Sequence, residues 1–162
     1  MQATHLKVNH FLCYNLTKKY KSVGAIIFYK GKYLIQKRDN KKNIFFPNFW
    51  GVFGGNVKNN ENTKKAILRE LKEELNLSFK EPIKKLSLKI SSKNFKPVRE
   101  RTFYICELKI MPKKIKIYEG KDFALLSFNK LKKLDFVPWD FSAISYHYYD
   151  EVKNLQILPQ KR

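Results

Sequence analysis

The chain has 162 residues, the size of one domain, and 43% of them are hydrophobic and 15% aromatic, which excludes a disordered chain and supports a single packed core. No apolar run approaches the roughly 20 residues that cross a bilayer, the longest being residues 23–29, and the N-terminus has no signal-peptide core, so a cytoplasmic protein without a membrane partner is expected. The net charge of +20 suits nucleic acid, an anionic surface or a polyphosphate substrate, but only five of the 34 basic residues are arginine, and a lysine excess of this kind also follows from an AT-rich coding sequence.

Cys13 and Cys106 are the only cysteines, without paired spacing or a nearby histidine cluster, so neither a zinc site nor a disulfide framework is expected. His5, His10 and His147 are scattered and give no metal or catalytic pattern.

Residues 1–21 mix apolar patches with lysine and show no period; they are expected to form an extension that packs on a single domain spanning 22–162. VGAIIFYK, Gly31-Lys32 and YLIQKR read as a β-hairpin, followed by a loop, DNKKNIFFPNFW, and a strand-like GVFGG that bends sharply. From Asn62 to Leu75 the pattern becomes helical, with Asn62 or Thr63 as N-cap. KKLSLKISS, VRERTFYICELKI and KIKIYEG alternate as half-buried strands do, separated by Pro97 and by Met111-Pro112-Lys113. FALLSF is a last strand, NKLKKL a helical turn, and PWDFSAISYHYYDEV a closing helix with proline at its start. This order describes an α+β domain in which helices cover a mixed sheet.

Four of the 14 acids fall between Glu61 and Glu74. Glu70, Glu73 and Glu74, at i, i+3 and i+4, share one face of the helix, while Ile67, Leu71 and Leu75 form the adjoining apolar stripe. Like charges at this spacing repel by a few tenths of a kcal/mol, so something should compensate them. A hard divalent cation is one answer and the neighbouring Lys64, Lys65 and Lys72 are another; the helix alone leaves both open.

Read from Gly55, GNVKNNENTKKAILRELKEELNL resembles the Nudix box, G-x5-E-x7-R-E-U-x-E-E-x-G-U with U aliphatic, at every defined position but one. Asn76 stands where the family has glycine after the helix, and asparagine tolerates the left-handed backbone needed there better than most residues. The similarity extends to YLIQKR and Trp50 to Gly55 upstream and to Tyr118-Glu119-Gly120 and FALLSFNKL downstream, over about residues 22–152.

Resemblance to this MutT-like family implies a Nudix α/β/α sandwich with a mixed sheet between helices. It also implies Mg²⁺-dependent hydrolysis of the pyrophosphate linkage of a nucleoside diphosphate derivative, with Mn²⁺ as a substitute cation. By motif position Glu70, Glu73 and Glu74 would hold the metal, and Gly55, Glu61 and Arg69 would keep loop and helix in register. Glu70, Glu73 and Glu119 are the expected catalytic residues, with Asp122 behind Glu119. Arg38, Gly54, Arg99 and Arg101 are the substrate-binding candidates, while Trp50, Phe46 and Phe53 are assigned to core in preference to base stacking.

Ser92 to Phe95 lacks the proline or tyrosine that marks the ADP-ribose and dinucleoside-polyphosphate subfamilies, leaving nucleotide sugars and (deoxy)nucleoside triphosphates as the expected substrates. The expected partner is thus a small nucleotide, with a homodimer as the assembly to test. The alternatives are an RNA-end pyrophosphohydrolase and a non-catalytic Nudix-fold module that binds nucleotides or RNA.

Overall fold

The computed structural model describes residues 20–92, 95–112 and 115–152; most of the expected extension, with His5, His10 and Cys13, lies outside them. Strands β1 (Tyr20–Tyr29) and β2 (Lys32–Lys37) form the expected hairpin. Lys30 and Gly31 both take positive φ, 44° and 77°, as a two-residue turn matching the right-handed strand twist requires. After β3 (Trp50–Gly51) and helix α1 (Thr63–Leu75) come β4 (Ile83–Ser92), β5 (Phe95–Glu107) and β6 (Asp122–Ser127). Helices α2 (Phe128–Leu131) and α3 (Pro138–His147) follow, and a π-helical turn covers Tyr148–Val152.

The six strands make one mixed sheet, five of them in the order β3-β2-β1-β5-β4 and β6 paired off this path with β2. β1 and β5 are parallel, from Tyr20 opposite Arg99 to Phe28 opposite Glu107, and the other pairings are antiparallel. β6 lies along the whole of β2, whose opposite edge is shared by β1 and β3.

Period-two alternation sends the apolar residues of the central strands to both faces. Val23, Ala25, Ile27, Leu34, Tyr104 and Cys106 meet Ala66, Ile67, Leu71 and Leu75 of α1. Ile26, Tyr33, Ile35 and Phe103 meet Phe128, Leu131, Ala143 and Ile144 of α2 and α3. Two cores on one sheet are what make this an α/β/α sandwich of the α+β class. Cys106 is buried in the first core, which pushes its thiol up to about 12. His147 is buried in contact with Tyr33, its Nδ1 2.8 Å from the hydroxyl. Among the described residues no helix is long and apolar enough to cross a membrane.

Two expected elements are corrected. Pro97 does not separate strands but lies within β5, beside a register shift between Ile90 and Ser92 and ahead of Arg99, where pairing with β1 begins. The missing N–H is therefore not needed by β1 there. KIKIYEG, of which Lys114 lies outside the described residues, is not a strand over 115–120: Ile115 and Ile117 pack on the first core, and Tyr118 N–H donates to Glu74 O (2.9 Å), binding the segment to the end of α1.

α1 is capped at both ends. Asn62 Oδ1 accepts from Lys65 N (2.8 Å). Asn76 takes φ 53°, ψ 28°, its N–H donating to Lys72 O (3.0 Å) while Leu77 N–H donates to Leu71 O (3.2 Å). This paired closure is the one glycine usually supplies. In urea denaturation Asn76→Gly is expected to raise stability by about 0.5 kcal/mol and Asn76→Ala to lower it by about 1 kcal/mol; a gain from Asn76→Ala would mean that the left-handed turn is not maintained.

Candidate active site

The site is built where α1 meets the loop that precedes it. Residues 53–57 run along the first half of β1, with Ala25 N–H donating to Phe53 O, Val23 N–H to Gly55 O and Val57 N–H to Lys21 O, at 2.8, 2.8 and 3.0 Å. The backbone of this loop is thereby fixed against the sheet before any side chain is considered.

Arg69 fastens the loop to the helix. Its Nε and Nη2 donate to the two oxygens of Glu61 (2.9 and 3.0 Å), and Nη2 also donates to Asn56 O (3.0 Å). Nη1 donates to Glu70 Oε1 (2.8 Å) and Glu73 Oε2 (2.9 Å). One planar fork thus serves three carboxylates and a carbonyl, a task that suits arginine over lysine. The same bonds hold the Glu61 carboxyl below the usual carboxylate range and raise the Arg69 guanidinium further.

Glu74 is the buried member of the acidic face, only 4% exposed, and its Oε2 accepts from Gly54 N–H (2.9 Å). Burial, with Glu70 and Glu119 nearby, pushes its carboxyl up to about 8 against the opposing hydrogen bond from Gly54. Burial likewise raises Glu70, whose bond to Arg69 opposes the shift while Glu73 and Glu119 add to it. Glu119, distant in sequence, is therefore brought within electrostatic reach of the helix. An added side chain would be crowded at Gly54 and at Gly55, for different reasons. At Gly54, φ 132°, an added Cβ would strike Val23 O; at Gly55 it would lie 2.5 Å from Glu70 Oε1.

Glu70, Glu73, Glu74 and Glu119 offer hard oxygen donors in excess of the positive charge beside them, which suits a divalent cation such as Mg²⁺. Among the described residues no three of them converge as a ready-made ligand set: Glu70 and Glu73 turn to Arg69 and Glu74 to Gly54.

Two cavities of about 380 Å³ each meet at Arg38 and Gly54. The acidic one is lined by Glu74, Tyr118 and Glu119 together with Gln36, Asp39 and Lys41. The other is aromatic and basic, lined by Phe45, Phe46 and Trp139, with Arg99 and Arg101. Arg38, whose guanidinium is lowered by burial, donates from Nε to Phe45 O (3.0 Å) and so pins the intervening loop over the junction. Phe46, at φ 53°, meets Trp139 edge-on at 5.1 Å.

The three arginines thus line one cavity but differ in state. Arg101 is paired with Asp140 (2.9 Å), an acid only 1% exposed that also accepts from Val52 N–H (3.1 Å). Arg99 stacks on Phe45 at 4.5 Å. Of the aromatics assigned to core, Phe53 is fully buried, Trp50 packs on the second core, and Phe46 instead lines the cavity. Asp122 is exposed and its Oδ1 accepts from Phe123 N–H (2.8 Å). Sequence reasoning missed Trp139 and Asp140; the one available signal was an acid set within the apolar helix PWDFSAIS.

The model of the NUDIX domain family matches residues 18–150. The chain belongs to the NUDIX family. Among solved structures, the fold is similar to the MutT NUDIX hydrolase of Burkholderia pseudomallei, with 18% identity, a TM-score of 0.66 and coverage of 79% of this chain and 97% of that one. It is also similar to the dihydroneopterin triphosphate pyrophosphohydrolase of E. coli, at 19% identity, TM-score 0.65, and 85% and 99% coverage. The NUDIX domain of Shewanella oneidensis NrtR, solved with ADP ribose, gives 16% identity, TM-score 0.69, and 82% and 88% coverage. No curated protein sequence matches significantly. This family of hydrolases acts on nucleoside diphosphate derivatives and generally uses a divalent metal.

Three outcomes follow for this Nudix scaffold. Glu61→Gln, which breaks a largely buried pair, is expected to cost about 2 kcal/mol in chemical denaturation near neutral pH. Because the folded Glu61 carboxyl sits below its ordinary 4.5, that stability is present above pH 4.5 and is lost as pH falls through the lower folded value. The gap between the two proteins therefore narrows in acid; a gap that widens there would contradict the pairing. Gly55→Ala is expected to displace the flexible Glu70 carboxylate, changing stability by less than about 1 kcal/mol while lowering activity at least about tenfold. Gly54→Ala meets backbone and should destabilise the fold by more than about 2 kcal/mol.

Proposed function

We propose that this chain hydrolyses a phosphoanhydride bond of a nucleotide, either a (deoxy)nucleoside triphosphate or a nucleotide sugar, with Mg²⁺ or Mn²⁺ held by Glu70, Glu73 and Glu74. The observation that carries the reading is the buried Glu74, held by Gly54 beside Glu70 and Glu119, at the end of a groove whose other half is aromatic and basic.

When bound, the cation neutralises the carboxylates and polarises a phosphoryl oxygen. Were Glu70 and Glu73 to hold the cation, Arg69 would keep Glu61 and Asn56 O and so hold the loop in place. Glu119, across the acidic cavity from Glu74, takes the proton of the attacking water. Arg38, at the junction of the two cavities, faces the phosphate chain, and Arg99 lies further along the aromatic one. Phe46 and Trp139 provide the apolar wall for a base, while Asp140 keeps Arg101 oriented. Most of the rate then comes from positioning and charge neutralisation, as phosphoryl transfer requires.

A phosphate-release screen with Mg²⁺ over nucleoside triphosphates, nucleotide sugars, ADP-ribose and dinucleoside polyphosphates tests this. On the cleaved substrate, Glu73→Gln and Glu74→Gln should each lower kcat/KM by about 100-fold or more, and Glu119→Gln by at least about tenfold. Lys72→Gln, on the same helix but outside the groove, should leave it unchanged. An unmutated protein that cleaves none of the panel and binds no divalent cation would overturn the reading.

A further inference from the structure

Of the described residues that line the acidic cavity, Asp39, Glu74 and Glu119 are acids and only Arg38 and Lys41 are bases. Arg38 lines both cavities and commits its Nε to Phe45 O (3.0 Å), whereas Lys41 lines the acidic one alone. In the reading above the nucleoside lies in the aromatic cavity and the phosphate chain runs toward the carboxylates. The group on the far side of the cleaved bond therefore departs through the acidic cavity. It departs as an anion, into a space where carboxylates outnumber cationic side chains.

The fold holds Lys41 at this place. The loop after β2 closes on itself through Arg38 N–H to Phe49 O (2.9 Å) and Asn48 N–H to Asp39 O (3.2 Å). On the facing wall, Lys121 N–H donates to Lys37 O (2.8 Å), which ties the 118–121 segment, and with it Glu119, beside the same end of β2. Lys41 Nζ pairs with Asp39 at 2.6 Å, but the lysine side chain is 66% exposed. So open a pair is weak, and the ammonium readily exchanges the carboxylate for a phosphate oxygen. The hydrogen bond and charge of Asp39 raise the Lys41 ammonium above its ordinary range and Glu119 adds to the shift, so Lys41 keeps its proton and has Glu119 within electrostatic reach.

We propose that Lys41 is a catalytic residue whose ammonium meets the leaving phosphate on the far side of the cleaved bond. The inference rests on the hydrolysis proposed above. The oxygen of water bonds to one phosphorus and its proton goes to Glu119. The electron pair of the broken P–O bond stays on the bridging oxygen, which departs with the other phosphorus and gives the leaving group one more negative charge. Lys41 offsets that charge with a hydrogen bond from Nζ and transfers no proton, and Asp39 gives up its place on the ammonium as it does so. The proton that Glu119 accepts removes one of the two anionic charges facing Lys41 in the same step, so the ammonium becomes available when the leaving group needs it.

The test uses the full chain with Mg²⁺ and two probes, inorganic pyrophosphate for the acidic half of the groove and a nucleoside 5′-monophosphate for the aromatic half. In calorimetry, Lys41→Gln should weaken pyrophosphate by about tenfold or more, the size of losing a hydrogen bond to a charged group, and leave the monophosphate within about twofold. Lys41→Arg, which keeps the charge, should restore pyrophosphate binding. Asp39→Asn breaks the same ion pair but keeps the ammonium, so its pyrophosphate affinity should hold or rise. On the cleaved substrate, Lys41→Gln should lower kcat by about tenfold or more with KM changed by less than about threefold. Equal losses in Lys41→Gln and Asp39→Asn would show that the pair only holds the loop, and would overturn the inference. So would an unchanged kcat or pyrophosphate affinity in Lys41→Gln, or an unmutated chain that binds no pyrophosphate; the proposed hydrolysis survives each of these. If no substrate is cleaved, the hydrolase reading fails instead, and the calorimetric comparison alone decides whether Lys41 meets a phosphate in the acidic cavity.

Discussion

Glu61, ahead of α1, and Glu70 and Glu73 on it all bond to one arginine, and the buried Glu74 shares the helical face of Glu70 and Glu73. Left to themselves these charges would repel and draw the helix toward water. They are kept together because Arg69 divides its fork among Glu61, Glu70, Glu73 and the Asn56 carbonyl, and because Gly54 donates its N–H to Glu74. The resulting site is under-neutralised. Burial is the main cause of the raised Glu70 and Glu74 carboxyls, the neighbouring acids add to it, and a divalent cation held there would offset both.

The rest of the fold places other groups around this cluster. The apolar stripe of α1 buries Ile67, Leu71 and Leu75 in the first core, which turns the acidic edge toward the loop carried by β1. The bond from Tyr118 N–H to Glu74 O brings the 118–120 segment, and with it Glu119, to the end of the same helix. On the opposite side of Gly54, the second core positions α3 so that Trp139 and Asp140 enter the groove next to Arg101 on β5. Each sheet face thus contributes one half of the groove.

What the sequence revealed follows from the range of the interactions involved. Helix α1, its N-cap at Asn62 and the left-handed Asn76 depend on neighbours within a few residues, and so did the spacing of Gly55, Glu61, Arg69 and the glutamates. The loop nature of 115–120 was not legible, because Ile115 and Ile117 alternate as strand residues do although a contact with the end of α1 decides their conformation. Pro97 was misread for a related reason: whether proline breaks a strand depends on which edge has a partner at that point. Asp140 pairs with a residue 39 positions away, and nothing local announces it. Arg38, Arg99 and Arg101 were picked out singly, but their shared cavity and the different partner of each are products of the tertiary structure.

The central claim is that the acidic edge of α1 is a metal site and not a solvated surface. Titration of Mn²⁺ into the full chain, followed by the loss of the free-ion electron paramagnetic resonance signal, tests it without reference to any substrate. The account predicts saturable binding that Mg²⁺ displaces and that Glu74→Gln weakens by about tenfold or more, the size of losing one carboxylate contact to a cation. Binding that is absent from the unmutated chain, or that is unchanged in Glu74→Gln, would contradict it.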